Sequence, residues 1–197
     1  MFDNQTEKFI DVLSSVAESM IVNNYADHIY TLSKGVSWIT FQNECVAVRI
    51  DDQLCKQGKG ITLYSAFKQN LKGDKIYTVF EDSEGDEWIL TNKGISIVGK
   101  KQVDSDFPFQ YIKEADGIIY LVSQSDKLAS YNFKSRQFKF IEIPYHVSMI
   151  NEVKKFDSNT LLLATDNGLI IYKIKEKKFQ LIDIRTSTQP SSVVQSV

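Results

Sequence analysis

The sequence predicts an all-β protein made of about four repeats of short antiparallel strands. Composition favours strands, because 12 Phe and 9 Tyr occur among 197 residues and 43% of the chain is hydrophobic. Aromatic and β-branched side chains fit the pleated, half-buried surface of a sheet. Hairpin corners recur between short apolar runs, and one segment recurs 41 positions further along the chain. A chain of this length and hydrophobicity can bury a substantial core, which excludes disorder.

The clearest repeat unit covers residues 157–184. The leucine run at residues 161–163 leads into the corner Asp166-Asn167-Gly168, and residues 169–172 form the next apolar run. Asn and Gly accept the positive φ angles of tight hairpin turns. A third run, at residues 179–182, follows a polar gap. The unit therefore contains at least three consecutive antiparallel strands.

Residues 116–143 are a second copy of this unit. A shift of 41 positions superposes seven residues of like character without a gap. The matched pairs are Asp116 with Asp157, Leu121 with Leu162, Leu128 with Leu169, Tyr131 with Tyr172, Phe138 with Phe179, Ile141 with Ile182 and Ile143 with Ile184. Internal repeats of this kind indicate a repeat architecture.

Two more copies are predicted upstream, where residues 34–37 (Lys-Gly-Val-Ser) match residues 93–96 (Lys-Gly-Ile-Ser). The match places a hairpin corner at each segment, and it aligns residues 28–32 with residues 87–91. A competing register aligns residues 29–31 with residues 76–78.

The preferred register also makes residues 45–50 an outer strand, equivalent to residues 179–184. The surplus residues 51–73 are then an insertion, with a short helix around residues 63–71. In the second copy, only 33 positions separate the corner at Gly94 from the corner near Lys127, so its outer strand is expected to be short or missing.

Both ends resemble parts of neighbouring repeats. Residues 9–13 fit either an outer strand or an amphipathic helix, since apolar residues recur there at spacings of three and four. Residues 190–197 fit the turn and first strand of another copy. The predicted organisation is a set of blades at residues 19–50, 76–105, 109–143 and 149–184, the insertion 51–73, and parts of neighbouring blades at residues 1–13 and 190–197.

Repeats of about 40 to 50 residues with about four antiparallel strands are typical of β-propeller blades. One blade cannot bury both faces of its sheet, so stacking of neighbouring blades is expected to supply the stability. The expected packing residues are large aromatic side chains, namely Trp38, Trp88, Tyr120, Phe138 and Phe179. About four copies are too few for the commoner rings, which predicts a fragment of a larger propeller.

Residues 81–95 (Glu-Asp-Ser-Glu-Gly-Asp-Glu-Trp-Ile-Leu-Thr-Asn-Lys-Gly-Ile) resemble the two-component regulator propeller repeat. That repeat runs roughly as Asp, two residues, Gly, two residues, Trp-Ile-Gly-Thr, and a short corner that ends in Gly-Leu. The chain departs from it at Leu90, where the family prefers Gly, and at Ile95, where it prefers Leu. Residues 165–169 match the second half of the motif, and Leu162 stands in place of the Trp.

The resemblance implies a periplasmic segment of the sensor region of a Bacteroides-type hybrid histidine kinase, which is an inner-membrane protein. It implies carbohydrate sensing, with an oligosaccharide as ligand, a homodimer formed through the parent sensor, and a kinase domain elsewhere in that parent. We expect no catalysis, no cofactor and no metal in this region. The alternatives are a protein-interaction scaffold without a small ligand and, more weakly, a propeller enzyme such as a lyase or glycosidase.

Charge and hydropathy exclude several partner classes. The chain carries 23 basic and 25 acidic residues, so no basic face favours nucleic acid. No apolar run of about 18 residues could span a bilayer, and residues 1–8 lack the pattern of a secretion signal. We therefore expect no nucleic-acid partner and no membrane contact by this segment itself.

Cys45 and Cys55 lie ten positions apart, a spacing that fits neither a redox pair nor a zinc site. Free thiols are the favoured interpretation, and a bridge would require an oxidising compartment.

No catalytic constellation is present in the sequence. His28 and His146 are the only histidines, and neither belongs to a zinc-protease motif. The stretch Gly58-Lys59-Gly60 lacks the residue order of a phosphate-binding loop. The acidic turn at residues 82–87 does not match a calcium loop and is expected to serve the turn.

The ligand-binding residues are unknown from sequence, and we expect them where the copies differ. Trp38 and Trp88 could stack on sugars, but blade core is the favoured role. The insertion draws attention because an exposed patch there would favour a protein-docking surface. Its candidate residues are Leu54, Tyr64, Phe67 and Leu71.

Overall fold

The fold consists of four consecutive antiparallel sheets, each made of strands adjacent in sequence. The computed structural model describes residues 2–3, 8–9, 25–41, 45–65, 71–100, 108–132, 135, 137–183 and 193–197. A pair of two-residue strands, β1 (Phe2–Asp3) and β2 (Lys8–Phe9), precedes the sheets. No helix within the described ranges is long and apolar enough to cross a bilayer.

Each sheet is one blade, and its strands follow one another in order from the inner to the outer strand. The first sheet contains β3 (Ala26–Thr31), β4 (Val36–Phe41), β5 (Val46–Asp51) and β6 (Ile61–Ser65), with a helix α1 (Asp52–Cys55) between β5 and β6. The second contains β7 (Ile76–Glu81), β8 (Glu87–Thr91) and β9 (Gly94–Ile97). The third contains β10 (Phe109–Ala115), β11 (Ile118–Ser123), β12 (Leu128–Asn132) and β13 (Gln137–Ile141). The fourth contains β14 (Ile150–Asp157), β15 (Thr160–Thr165), β16 (Gly168–Lys173) and β17 (Lys178–Ile182). The predicted all-β blade architecture is confirmed.

Successive sheets pack against each other through three apolar clusters. Each cluster contains one aromatic side chain from the second strand of the earlier sheet, at most 3% exposed, namely Trp38, Trp88 and Tyr120. Each also contains a β-branched residue from the inner strand of the following sheet, at most 4% exposed, namely Val79, Ile112 and Val153. The predicted packing residues Phe138 and Phe179 are half-buried and lie against rings of their own sheets.

Every inner strand shifts its pairing register at the same place. The irregularities fall between Ala26 and His28, Ile76 and Thr78, Phe109 and Tyr111, and Ile150 and Glu152. A bulge of this kind places an extra residue in one strand and increases the local twist. The four sheets therefore share a feature that no sequence motif indicated.

The preferred register between the first two copies is wrong. β3 is an inner strand and corresponds to β7, whereas the preferred register aligned it with β8. The pairs Tyr30–Trp38 and Phe80–Trp88 are equivalent, so the two copies are 50 residues apart. The competing register correctly aligned β3 with β7, but it was shifted by three residues from the observed correspondence. The error arose because Lys34-Gly35 joins the first and second strands, whereas the Lys-Gly pair of the second sheet joins the second and third.

The assignment of residues 45–50 as an outer strand is also wrong. β5 is the third strand, and the outer strand β6 lies inside the segment that was predicted to be an insertion. The first sheet therefore reaches Ser65 and does not end at residue 50. The helix in this segment is α1, whose N-cap Asp51 accepts hydrogen bonds from the amides of Gln53 and Leu54 at 3.1 Å. The helix predicted around residues 63–71 is wrong for its first three residues, which belong to β6.

The last two sheets keep the predicted offset of 41 residues in their third and fourth strands. The equivalent cross-strand pairs are Tyr131–Phe138 and Tyr172–Phe179. In their second strands the offset is 42, so Leu121 corresponds to Leu163 and not to Leu162. The difference arises because the corner of the third sheet contains more residues than that of the fourth.

Residues 193–197 run beside the fourth sheet. The amide of Val194 donates to the carbonyl of Thr165 at 2.8 Å, much as the amide of Ile150 donates to that of Gln124 at 2.7 Å. The amide of Val197 donates to the Glu152 carboxylate at 2.7 Å. The assignment of residues 190–197 to a neighbouring blade stays a prediction, as do the limits of the other three blades. Of residues 9–13, the structure describes only Phe9, so the helix and strand alternatives for the rest of this segment lie outside the described residues.

Candidate functional site

Two hairpin corners share one hydrogen-bonding pattern. We call residues 91–94 (Thr-Asn-Lys-Gly) and 165–168 (Thr-Asp-Asn-Gly) the Thr corners. In each, the threonine hydroxyl lies within hydrogen-bond distance of the glycine carbonyl, at 3.1 Å in the first and 2.7 Å in the second. The Thr91 hydroxyl also donates to the carbonyl of Lys72 at 2.5 Å. The threonine hydroxyl of each corner accepts from the amide two residues on, that of Lys93 at 3.3 Å and that of Asn167 at 3.2 Å. The hydroxyl thus closes the turn, as short polar side chains commonly do.

The second residue of each Thr corner holds the chain that enters its sheet. The side-chain oxygen of Asn92 accepts from the amides of Asp74 at 2.8 Å and Lys75 at 3.3 Å. The carboxylate of Asp166 accepts from the amides of Ser148 at 3.1 Å and Met149 at 3.2 Å. The corners therefore fix the segments between consecutive sheets as well as reversing the chain.

The segment between the third and fourth sheets is held at several points. We call residues 142–149 the connection. Besides its two bonds to Asp166, it receives a hydrogen bond at the His146 carbonyl from the Asn167 side-chain amide, at 3.0 Å. The Tyr145 hydroxyl donates to the carbonyl of Phe179 at 3.2 Å. These four hydrogen bonds fix the connection against the fourth sheet.

A cleft of about 650 Å³ opens between the connection and the third sheet. Small-ligand sites commonly occupy roughly 300–1,000 Å³. The cleft is lined by the corner between β11 and β12, the outer strand β13 and the connection. The lining residues are Asp126, Lys127, Leu128, Phe140, Ile141, Glu142, Ile143, Tyr145, His146 and Val147. We take the cleft as the candidate ligand site.

Apolar and charged side chains both line the cleft. Phe140 is 48% exposed, and Leu128 and Val147 are buried. Lys127 forms an ion pair with Asp126 at 2.9 Å, whereas the exposed Glu142 has no ion-pair partner within the described part of the chain. An arrangement of this kind suits an amphipathic small molecule that needs both ring contact and hydrogen bonds.

The two tryptophans lie outside the cleft and form blade core, as predicted. Both are fully buried. The Trp38 indole donates to the carboxylate of Glu87 at 2.6 Å, and the Trp88 indole donates to that of Asp82 at 2.8 Å. Neither ring face is available for a ligand.

Glu87 is the centre of a polar contact between the first two sheets. Arg49 donates to it through Nη2 at 2.8 Å and through Nε at 2.9 Å. Their side chains are only 18% and 12% exposed, and the hydrogen bond to Glu87 raises the pKa of Arg49. This pair joins the sheets and lies apart from the cleft.

The acidic turn at residues 82–87 has a structural role. Asp82 accepts from the amides of Glu84 at 3.0 Å and Asp86 at 2.8 Å, in addition to the Trp88 indole. Asp86 forms an ion pair with Lys100. Within the described ranges, no three His, Cys, Asp or Glu side chains are grouped so that they could hold a metal ion.

The remaining candidate residues are dispersed. The His28 side chain is 63% exposed beside Asp27, far along the chain from His146 at the cleft. Gly60 lies where a Cβ atom would be 2.1 Å from the sulfur of Cys55, so its role is close packing. Cys45 and Cys55 are free thiols, and burial raises the pKa of Cys45 to about 11.

An exposed patch in residues 51–73 would favour protein docking, but two of its four candidate residues pack inside the structure. Leu71 is 3% exposed and lies in the cluster between the first two sheets. The ring of Tyr64 packs on Trp38, with 4.6 Å between centroids. Leu54 is 42% exposed, and Phe67 lies outside the described residues.

Sequence reasoning missed the cleft. The sequence shows His146 only as a histidine outside any catalytic motif, and the Asp-Asn-Gly corner predicts a tight turn and no contact with a distant segment. The residues that hold the connection are about twenty positions from it in sequence, so no local pattern indicated it.

Comparison with solved structures supports the propeller fold. The extracellular domain of a protein described as a one-component system of B. thetaiotaomicron superposes with a TM-score of 0.66 at 18% identity, over 89% of this chain and 25% of that chain. The extracellular domain of a protein described as a hybrid two-component system of the same organism gives 0.66 at 17%, over 99% of this chain and 25% of that one. Virginiamycin B lyase from Staphylococcus aureus also gives 0.66 at 17%, over 85% and 58%.

This chain spans a quarter of the length of the two B. thetaiotaomicron domains. At these identities the likeness establishes the fold, and it agrees with the resemblance to propeller repeats. No family model and no curated protein matches the chain.

Proposed function

We propose that this chain is a non-catalytic segment of an extracytoplasmic propeller that senses carbohydrate for a two-component histidine kinase. The supporting observation is the match of 99% of the chain to an extracellular domain from a hybrid two-component system. In this proposal the segment lies in the periplasm, as part of an inner-membrane protein that functions as a homodimer.

The mechanism is a shift between two arrangements of the sensor. A ligand moves such an equilibrium only by its difference in affinity for the two states. The connection is suited to this role because it contacts the third sheet across the cleft and is bonded to the fourth sheet through Asp166 and Asn167. A ligand in the cleft would contact the third sheet directly and the fourth sheet through the connection.

The absence of catalysis is part of the proposal, because one structural neighbour is a lyase. Isothermal titration of the 197-residue chain against partially hydrolysed polysaccharides should give saturable heat. Mass spectrometry of the recovered sugar should show it unchanged. A cleaved or dehydrated product would identify an enzyme, and no heat with any pool would contradict carbohydrate sensing.

A protein-interaction scaffold is the second candidate, favoured by the exposed inner strand of the first sheet. Ile29 is 69% exposed, whereas the equivalent residues Val79, Ile112 and Val153 are at most 4% exposed. Tyr25, just before this strand, is 73% exposed. A scaffold that docks protein at this face would give no heat with any sugar pool.

A further inference from the structure

We infer that one end of the fourth sheet docks on an anionic bilayer surface, with Phe156 entering the lipid interface and the surrounding lysines facing the phosphates. We call residues 155–159 and 173–178 the lysine end. The inference does not depend on the ligand proposed for the cleft. It is carried by a bulge, by a concentration of positive charge and by the hydrogen bonds that join the two segments.

The inner strand β14 contains a second bulge near its end. A register shift falls between Lys155 and Asp157. The pairing of β3, β7 and β10 with their second strands shows only the shift near the start of the strand. The residue inside the second bulge is Phe156, whose side chain is 71% exposed. Because bulges re-aim side chains and are common beside functional sites, this ring is displayed where the repeat does not require one.

Positive charge is concentrated around this ring. Five exposed lysines occupy the lysine end, namely Lys155, Lys173, Lys175, Lys177 and Lys178. Lys173 and Lys178 lie directly opposite each other on β16 and β17, and like charges in that arrangement cost stability. The equivalent pair of the third sheet is Asn132 and Gln137, which is uncharged. The shared fold of the blades therefore does not require the lysine pair.

Carboxylates neutralise only part of this charge. The lysine end contains Asp157 and Glu176, and Asn159 donates to both, through its backbone amide at 2.7 Å and its side-chain amide at 3.0 Å. Asp116 of the third sheet lies 3.6 Å from Lys175. Five lysines against these three carboxylates leave a positive end on a chain whose formal net charge is -2. Such an asymmetry turns this end toward an anionic surface.

Hydrogen bonds hold the two corners of the lysine end together. The amide of Ile174 donates to the carbonyl of Asn159 at 2.8 Å, and the amide of Lys175 donates to its side-chain oxygen at 2.8 Å. The Lys173 side chain donates to the hydroxyl of Thr160 at 2.8 Å. The backbone that carries the lysines and the ring is thus fixed before a partner binds, which limits the entropy lost on docking.

A lipid surface fits these features better than a soluble polyanion does. Lysines alone attract a polyanion in water, whereas an exposed ring is stabilised only when it leaves water. Ile118, at the same end of the third sheet, adds a second apolar side chain that is 36% exposed. Peripheral membrane binding depends on buried apolar area together with attraction to anionic lipids. The expectation of no membrane contact rested on the lack of a spanning run, and docking on the surface requires none.

Docking at the lysine end leaves the cleft accessible. The chain reverses direction at each corner, so the two features lie at opposite ends of the sheets. The cleft is lined by the start of β12, the end of β13 and the connection that enters β14, whereas the lysine end contains the ends of β14 and β16. A chain bound in this orientation presents the cleft to the aqueous side.

The test measures binding of the 197-residue chain to lipid vesicles by co-sedimentation. One set of vesicles contains equal parts of phosphatidylglycerol and phosphatidylcholine, and the other contains phosphatidylcholine alone. We expect retention on the first set only, with an affinity that falls as salt is added, because screening weakens the attraction between lysines and phosphates. Equal binding to both sets would overturn the inference.

Charge reversal tests the lysines. Combining Lys155→Glu with Lys178→Glu should weaken binding more than about tenfold, since each lysine near an anionic surface contributes about fivefold in affinity. The control combines Lys56→Glu with Lys59→Glu, which makes the same change of net charge at two exposed lysines beside α1. It should leave binding unchanged, because those lysines lie on the first sheet.

Phe156 is tested separately. Phe156→Ala should weaken binding about tenfold, whereas Phe156→Trp should preserve it. With vesicles, the emission of the new indole should shift to shorter wavelength and be quenched by lipids brominated in their acyl chains. The parent chain supplies the background, since Trp38 and Trp88 are fully buried. Leu54→Ala, at a side chain 42% exposed on α1, is the control and should bind like the parent. Thermal unfolding of each variant verifies that it folds.

Three further results would contradict the assignment. Retention that is undiminished in the double lysine variant and in Phe156→Ala would place the contact elsewhere. Binding to dextran sulfate without retention on either set of vesicles would identify a soluble polyanion as the partner. Binding to neither would leave the lysine end without an anionic partner. Each result overturns the inference, and carbohydrate sensing is decided separately by the calorimetric titration.

Discussion

Burial of tyrosine and cysteine side chains makes this fold sensitive to alkaline conditions. Burial raises the pKa of Tyr120 to about 12 and that of Cys45 to about 11. Burial is also the first cause of the raised pKa values of four other tyrosines, namely Tyr30, Tyr64, Tyr111 and Tyr172. In the unfolded chain, thiols and phenols ionise at lower pH, near 9 and 10. These groups thus contribute stability that is complete below pH of about 9 and is lost as pH rises toward 12.

The first prediction concerns Tyr120. Its replacement by Phe removes one phenol that must stay neutral in the folded state, so the fall in the free energy of unfolding between pH 10 and 12 should become smaller. Urea denaturation at pH 8, 10, 11 and 12 measures this change. An identical fall in the variant and the parent chain would show that a raised pKa of Tyr120 does not contribute to the loss of stability.

At the scale of the element, the second Thr corner depends on its glycine. Gly168 has φ +115°, and a Cβ atom there would lie 2.6 Å from the carbonyl oxygen of Ile182 on β17. Both the backbone conformation and the neighbouring strand therefore exclude a side chain. The corner requires glycine for packing as well as for the turn.

The second prediction is that Gly168→Ala lowers the free energy of unfolding by about 2–4 kcal/mol, because backbone strain and a steric clash add. Gly99→Ala is the matched control, since Gly99 has φ +71° with no atom within 4 Å of a Cβ position. It should cost about 1 kcal/mol. Denaturant titration measures both, and equal losses would show that the contact with β17 is unimportant.

Local sequence patterns predicted the hairpin turns more accurately than they predicted which residues of two copies correspond. The Asp-Asn-Gly corner and the offset between the last two copies were identifiable because turn residues and strand lengths are nearly preserved there. The register of the first copy failed because two Lys-Gly corners occupy different places in their sheets. The observed offset is the one that superposes Trp38 on Trp88, because buried aromatic positions constrain a blade more than turns do.

The cleft could not be predicted because it depends on hydrogen bonds between distant segments. Nothing in the local sequence of Asp166 and Asn167 shows that they bond to residues about twenty positions earlier. The inner-strand bulges are hidden for a related reason. An extra residue in a strand becomes visible only when its partner strand is known.

At the scale of the whole molecule, stability depends on contacts between neighbouring sheets. Repeat architectures gain most of their stability from such interfaces. The first interface differs from the others because it contains the half-buried pair of Arg49 and Glu87, to which the Trp38 indole also donates. Removal of the shared carboxylate would leave a guanidinium and an indole without that partner.

The third prediction is that Glu87→Ala lowers the free energy of unfolding by about 2–3 kcal/mol, with the loss concentrated in the first two sheets. Lys93→Ala is the control, because its ion pair with Asp74 joins side chains 61% and 74% exposed. Its removal should leave the free energy of unfolding essentially unchanged, because exposed ion pairs contribute little. Native-state hydrogen exchange measures the effect sheet by sheet, and a uniform loss over all four sheets would contradict the localisation.

The bulge repeated in every inner strand bears on how such a chain can change its length over time. Each inner strand carries its bulge at the same place against its own second strand, so the four units share one local geometry. An in-frame duplication or loss of one whole unit keeps every remaining joint in phase, whereas a single-residue insertion in one strand does not. We therefore expect duplication or loss of a whole blade to preserve the fold where a smaller insertion within a strand disrupts it.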